Sequence, residues 1–378
     1  MPVKRLRSHF KRWVKHTFQS RPELTITTAT PDCATPSLGM NRKYRFTTVQ
    51  EIFVDYTKDV QNSPGSPATI STYDQLGIIE EKDYDQDSNP STAPSSQWER
   101  LETHVAKLNR ESGAHESYKV IYVVRHGRGV HNVVMDAVGP KWKEKWALEE
   151  GATLDKLPDM PELPSLRGDK SDYITWVDSE LVGKGRDQAR ELASDWVKWN
   201  RDNGMPIPGT IYTSPMERCL ETTVLIYGDV LRENGRNVQP VVKENLRERL
   251  TNHTCDRRKS RSRIERYYPM CHFEPGFKEN DILWQARSKV PGKITAETED
   301  DHTARKHRLL EDIFDTDNSH FISLTTHSYA ISAILASVGA PFFRVKEGSM
   351  LAMLIKAEKE PPPMNGNHSG GGTVKHPT

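Results

Sequence analysis

Arg125-His126-Gly127, followed by Asn132, closes the apolar run Val120-Ile121-Tyr122-Val123-Val124. Such a run reads as a buried strand, here ending on a cation, an imidazole and a glycine. In an α/β sheet, ligands bind in the crevice outside the carboxyl ends of the strands. Guanidinium grips phosphate oxygens with paired hydrogen bonds, and a neutral imidazole is a competent nucleophile. The segment therefore points to phosphoryl chemistry. Arg218, Glu248 and His327 also follow strands or lie in turns leading to helices. Together these residues make the inventory of a phosphoryl-transfer site built without metal. His126 supplies the nucleophile, Arg125 and Arg218 neutralise phosphoryl oxygens, His327 donates, and Glu248 protonates the leaving oxygen. Glu244 competes with Glu248 for the last role. Gly127 lets the chain turn sharply and approach the phosphate.

The elements that must position these groups read as alternating strands and helices. A helix marked by Trp98, Leu101, Val105 and Leu108 leads into a strand from Ser117 to Val124. The insertion from Lys141 to Tyr173 is Pro-rich and charged and is expected to be a surface loop with short helices. A helix begins near Gly185, burying Ala189, Leu192, Ala193 and Trp196, and Gly209 to Thr213 follows as a strand. The next helix is expected to open at Ser214-Pro215-Met216-Glu217, with Ser as N-cap, Pro at N1 and Glu closing a capping box. Arg218 then sits in a first turn, where backbone N–H groups also favour an anion. Val238 to Val242 reads as a strand, Leu309, Leu310, Ile313 and Phe314 as a helix face, and Phe321 to Thr325 as a strand. A helix from Tyr329 to Ser337 and a strand from Ser349 to Lys356 complete the series. The alternation predicts an α/β fold: a three-layer α/β/α sandwich with a mostly parallel sheet covered on both faces.

The chain has 378 residues, a net charge of +1 and 35% hydrophobic residues. That balance gives no electrostatic drive toward nucleic acid, and the low apolar content suggests polar tails around an ordinary core. The organisation expected is a basic tail (1–39), an extension with a partly disordered loop (40–116), a catalytic domain (117–358) and a disordered tail (359–378). Four cysteines, Cys33, Cys219, Cys255 and Cys271, are too scattered for a disulfide scaffold. A cytoplasmic or nuclear location is expected, and no stretch is long enough to span a membrane. Lys4, Arg5, Arg7, Lys11, Arg12, Lys15 and Arg21 precede the first acid, Glu23, with Leu6, Phe10, Trp13 and Val14 on one helical face. Such a segment suits membrane contact or mitochondrial targeting machinery, the alternative being an unstructured basic tail. His253, Cys255, Cys271 and His272 have zinc-ligand chemistry, but their spacing fits no common finger, so neither metal nor cofactor is expected.

With these residues in place, the chain resembles the histidine phosphatase superfamily, also called phosphoglycerate mutase-like. Five segments match in family order: Arg125-His126-Gly127 with Asn132; Asp178, Leu181, Gly185, Gln188 and Ala189; Ser214, Pro215 and Arg218; Leu246-Arg247-Glu248; and Thr326-His327-Ser328. Val182 stands where Thr is usual. The run through His131-Asn132, the segment His253 to Arg258 and the region Tyr44 to Asp55 are similar to the fungal mutase-like branch. The resemblance implies a phosphohistidine on His126, with Arg125, Asn132, Arg218 and His327 holding phosphate and Glu248 serving as acid, then base. It implies a phosphatase acting on a small phosphorylated substrate, with a phosphoglycerate-type mutase or a non-catalytic phospho-ligand-binding module as alternatives. Arg128 occupies the place where the branch usually has Glu, reversing a charge beside the nucleophile. Arg128 and His131 are therefore further candidates for substrate contact.

Overall fold

A seven-stranded sheet organises the chain: β1 (Tyr44–Thr48), β2 (Glu116–Arg125), β3 (Thr210–Thr213), β4 (Val241–Val242), β5 (His272–Phe273), β6 (Phe321–Thr326) and β7 (Met350–Lys359). The computed structural model describes residues 42–58, 69–84, 96–163, 172–288 and 296–360. The basic start, Cys33, parts of the polar loop and of the insertion, and the tail from Pro361 lie outside them. Strand order is β1-β7-β2-β6-β3-β4-β5. From β2 through β6, β3 and β4 to β5 every pairing is parallel, while β7 runs antiparallel between β2 and β1. Residues 40–116 thus contribute the edge strand of the same sheet.

Alternation along β2 explains the layers. Val120, Tyr122 and Val124 point to one apolar core, and Ile121 and Val123 to the other, all with no exposed surface. The first core receives Trp98, Leu101 and Val105 of α1 (Gln97–Glu111). It also receives Leu192 and Trp196 of α3 (Gly183–Asn203) and Ile226 and Val230 of α4 (Glu217–Glu233). The second is closed by Leu309, Leu310 and Ile313 of α5 (Glu299–Thr316) and Ile331 and Ile334 of α6 (Ser328–Ser337). Each such side chain contributes about 1.5–3 kcal/mol on burial. Helices therefore cover both faces of a mostly parallel sheet, as the alternation predicts. The remaining helix of the site, α2 (Val130–Val138), lies directly after Gly129.

Three local readings are corrected. Helix α4 starts at Glu217 with Met216 at its N-cap, and Ser214 makes no cap. The carboxylate of Asp178 accepts the Glu217 N–H instead, at 2.8 Å, so the donor is satisfied from another part of the chain. The insertion is more than a surface loop: Gly151–Thr153 pairs with Tyr173–Thr175, and Trp142 and Trp146 meet Trp176 with ring centroids 5.8 and 6.2 Å apart. Buried indoles of that size make a third small core with Val130, Val133 and Val134 of α2. The strand predicted from Val238 is only Val241–Val242.

Candidate active site

Sheet register places the two histidines. Arg125 pairs with Thr326 across β2 and β6, so His126 and His327 are the first residues beyond the same rung. The His126 N–H donates to the Thr326 carbonyl at 3.0 Å, and the two imidazoles lie 5.1 Å apart, edge to face. Thr213 pairs with Thr325 on the other side of β6, which brings Ser214 and the start of α4 to the same strand ends. Gly127 has an ordinary backbone conformation, but a Cβ there would stand 2.3 Å from the Gly185 carbonyl oxygen. Its bareness lets the turn after His126 lie against the first turn of α3.

His126 is buried, with Nδ1 2.7 Å from the carbonyl oxygen of Gly127. A proton on Nδ1 makes that contact a hydrogen bond and leaves Nε2 with its lone pair. Burial, then the charges of Arg218 and Arg125, hold the ring neutral well below the ordinary histidine range. His327 is also kept neutral, by burial first and then Arg218 and His126. Its Nε2 lies 2.9 Å from Ser214 Oγ and 3.4 Å from Cys219 Sγ, which fix the ring. Two guanidinium groups complete this floor. Arg218, 1% exposed, donates from one terminal nitrogen to the Cys255 carbonyl at 3.1 Å. Arg125 donates to the Val345 carbonyl at 2.7 Å and pairs with Glu347 at 3.0 Å. The Nε of each arginine is buried and has no partner among the described residues. A buried orphan N–H on a cation is costly unless an anion completes it.

Glu248 is held by backbone. One carboxyl oxygen accepts the Arg249 N–H at 2.9 Å and the other the Tyr329 N–H at 3.1 Å. Burial raises its pKa above the usual carboxylate value against those two bonds, with Asp256 adding to the rise. Glu244 is instead occupied by Arg247 at 3.2 Å and Arg258 at 2.6 Å. Sequence reasoning missed what supports Glu248. Buried Lys306 of α5 donates to the carbonyls of Asn245 and Arg247 at 2.5 and 2.6 Å. Arg305 donates to the Glu248 carbonyl at 2.8 Å. A signal was available, since both lie one turn before Leu309 and Leu310, on the buried face.

The remaining candidates fall around this centre. Asn132 is buried, its Oδ1 accepting the Gly129 N–H at 3.0 Å, so in this structure it shapes the loop after Gly127. His131 lies 5.6 Å from His126, ring to ring, with Nδ1 2.6 Å from Ser179 Oγ. Arg128 donates to Glu162 and to Asp136, both at 2.7 Å. Its charge is offset by two carboxylates, so the reversal at this position does not leave a bare cation beside His126. Among the zinc-type residues, donor atoms of His253 and Cys255 gather with Asp256 within 4.8 Å of one another. Cys271 belongs to a separate apolar cluster, and His272 is on β5. A cavity of about 950 Å³ lies beneath the insertion, lined by Asp178, Ser179, Lys259 and Arg263 among others and by none of the candidate site residues. Among the described residues, no helix is long and apolar enough to cross a membrane.

Comparison with known proteins points to one family. The family described as the histidine phosphatase superfamily (branch 1) matches residues 167–344, a stretch that begins beyond Arg125-His126-Gly127. A probable phosphoglycerate mutase of Arthroderma benhamiae is 35% identical over 285 residues, 75% of this chain and 77% of that protein. A probable phosphoglycerate mutase of Saccharomyces cerevisiae is 29% identical, covering 63% of this chain and 79% of its own. Among solved structures, the mycobacterial glucosyl-3-phosphoglycerate phosphatase aligns at 17% identity over 64% of this chain and 98% of its own, with a TM-score of 0.35.

Proposed function

The chain belongs to the histidine phosphatase superfamily, and from that premise we propose that it hydrolyses a small phosphomonoester through a phosphohistidine on His126, without a metal. The observation that carries this reading is the pair of neutral buried imidazoles beside two guanidinium groups whose Nε atoms have no partner among the described residues. In the first step His126 Nε2 attacks phosphorus, the N–P bond forms and the ester P–O bond breaks. Glu248, whose protonated form burial favours, delivers its proton to the leaving oxygen. In the second step the Glu248 carboxylate takes a proton from water. The water oxygen attacks phosphorus, the N–P bond breaks, and inorganic phosphate departs with His126 neutral again. Arg125, Arg218 and His327 stabilise the charge on the phosphoryl oxygens throughout.

The names of the fungal relatives favour a second reading, in which the phosphohistidine returns phosphate to a sugar acid rather than to water. Both readings require the same nucleophile. His126→Ala is expected to lower turnover of a generic phosphoester at least about a thousandfold, and rapid quench with 32P-labelled ester is expected to trap acid-labile phosphoenzyme in the wild type only. An alanine variant as active as wild type removes both readings. Counting released phosphate against phosphoglycerate interconversion separates them.

A further inference from the structure

Among the described residues, the Asp256 carboxylate is buried, 6% exposed, with no cation in ion-pair reach. Other buried acids are better held. Asp281 pairs with Arg247 at 2.6 Å, Glu297 with Arg305 at 2.8 Å and Glu217 with Lys259, while Asp178 accepts two backbone N–H groups at 2.8 and 2.9 Å. Asp256 Oδ2 accepts the Thr251 hydroxyl at 2.5 Å, and Oδ1 has only the Cys255 thiol at 3.8 Å. Buried charges are paired, or they coordinate metals.

Local backbone explains why metal-ligand chemistry gathers beside it. His253 precedes a single 3-10 turn (Thr254–Asp256), and the Asp256 N–H donates to the His253 carbonyl at 3.1 Å. Side chains three apart in such a turn eclipse, so the His253 imidazole and the Asp256 carboxylate share one side. With the Cys255 sulfur, their donor atoms lie within 4.8 Å of one another. Thr251 Oγ1, which donates to Asp256, also accepts the His253 N–H at 3.0 Å, so one hydroxyl orients both ends of the turn. The His253 ring nitrogens make no hydrogen bond among the described residues, and the ring is half-buried, which leaves a way in from solvent. Imidazole, thiolate and carboxylate together suit Zn2+, whereas Mg2+ and Ca2+ take oxygen ligands. Finger spacing belongs to four-ligand sites; three protein ligands with an open fourth position is the other zinc geometry. Zinc bonds of about 2.0–2.3 Å hold ligand atoms roughly 3.5 Å apart, a distance that side-chain rotation here can reach.

We propose that His253, Cys255 and Asp256 bind a thiophilic divalent cation such as Zn2+, and that its binding slows turnover through Arg218. The metal–sulfur bond forms as the Cys255 thiol proton leaves to solvent. The carbonyl of the same residue holds a terminal nitrogen of Arg218 at 3.1 Å, so drawing the turn onto an ion disturbs a phosphate-binding cation. The site stands by itself, and its effect on turnover rests on the phosphatase reading above. The full chain, stripped of metal and kept reduced, is titrated with Co2+. An intense near-ultraviolet thiolate-to-cobalt band is expected, removed by Zn2+ and untouched by Mg2+. Cys255→Ser is expected to abolish the band, and Cys271→Ser, in its separate cluster, to leave it. His253→Gln and Asp256→Asn should each weaken binding at least about tenfold. Zn2+ should cut wild-type turnover of 4-nitrophenyl phosphate about fivefold to tenfold, the scale of one hydrogen bond, and spare His253→Gln. A wild type without the band overturns the site. So does a band that survives Cys255→Ser in a variant melting like the wild type, or wild-type affinity in both His253→Gln and Asp256→Asn. Equal inhibition of wild type and His253→Gln overturns the link to Arg218. Should His126→Ala hydrolyse the ester like the wild type while the cobalt band persists, it is the phosphatase reading that fails.

Discussion

His126, Arg218 and His327 are at most 3% exposed, whereas Tyr329, only two residues beyond His327, is 44% exposed. The first group forms the floor of the site and the second belongs to its mouth. Each floor residue follows a parallel strand or opens a helix, and backbone register fixes its place: Arg125 against Thr326, Thr213 against Thr325. The mouth instead consists of long side chains leaning on one ring, the Arg249 and Arg344 guanidinium groups lying 5.4 and 5.7 Å from the Tyr329 centroid. A floor built this way cannot change identity without disturbing the sheet's ends. A mouth built from half-exposed arginines can change without touching the core. Buried residues held by strand register and half-exposed side chains at the rim thus differ in their tolerance to substitution, and Glu248 stands between them.

The sharpest way to break that division is at Glu248. Glu248→Gln is expected to lower kcat/KM on an alkyl phosphate about a thousandfold, within the range of general acid catalysis. On 4-nitrophenyl phosphate, whose leaving group needs little protonation, the loss should be about tenfold. The wild type should also lose activity on the alkyl ester as pH rises. The folded pKa of Glu248 is raised, so its protonated form persists above the ordinary carboxylate value and disappears once pH passes the raised value. The glutamine variant should lack that alkaline limb, and equal losses on both esters would remove Glu248 from the acid role. A smaller effect is expected one layer behind. Lys306→Met removes two donors from the Asn245 and Arg247 carbonyls, which Arg305 still reaches at 3.2 Å. A stability loss of about 1–3 kcal/mol is expected in chemical denaturation. Turnover should fall about tenfold on the alkyl ester and less on the aryl ester, because the disturbance passes through Glu248. Uniform losses would make Lys306 a support of the fold alone.

Much of the floor was legible because its residues follow apolar runs whose boundaries are sharp. Val120 to Val124 announces a strand, and the polar residues after it have nowhere to go but the strand end. Thr326-His327-Ser328 also ends a strand, but only its likeness to the family's segment singled His327 out. The supports were not, because they depend on which distant elements meet. Asp178 caps α4 from 39 positions upstream, and nothing in the sequence around Ser214 reveals that competitor. Arg128 looked like a bare cation because its partners, Asp136 and Glu162, come from α2 and the insertion. Arg305 and Lys306 drew no attention in the sequence, although helical spacing places them with Leu309 and Leu310.

Ser214 separates the two ways of reading the chain by experiment. As an N-cap, its loss would cost about 1 kcal/mol of stability and leave turnover alone. In the structure its hydroxyl is 2.9 Å from His327 Nε2, and the cap is supplied by Asp178. Ser214→Ala leaves that nitrogen with only the Cys219 sulfur at 3.4 Å, a weaker partner. The ring of His327 then loses its orientation while the helix keeps its first bond. Turnover is therefore expected to fall roughly fivefold to tenfold, the scale of one neutral hydrogen bond, with stability changed by less than about 0.5 kcal/mol. The loss should be the same on alkyl and aryl esters, because His327 belongs to the floor and not to the leaving-group side. Full activity with a lowered melting temperature would return Ser214 to the helix and leave His327 oriented by Cys219 and its own backbone.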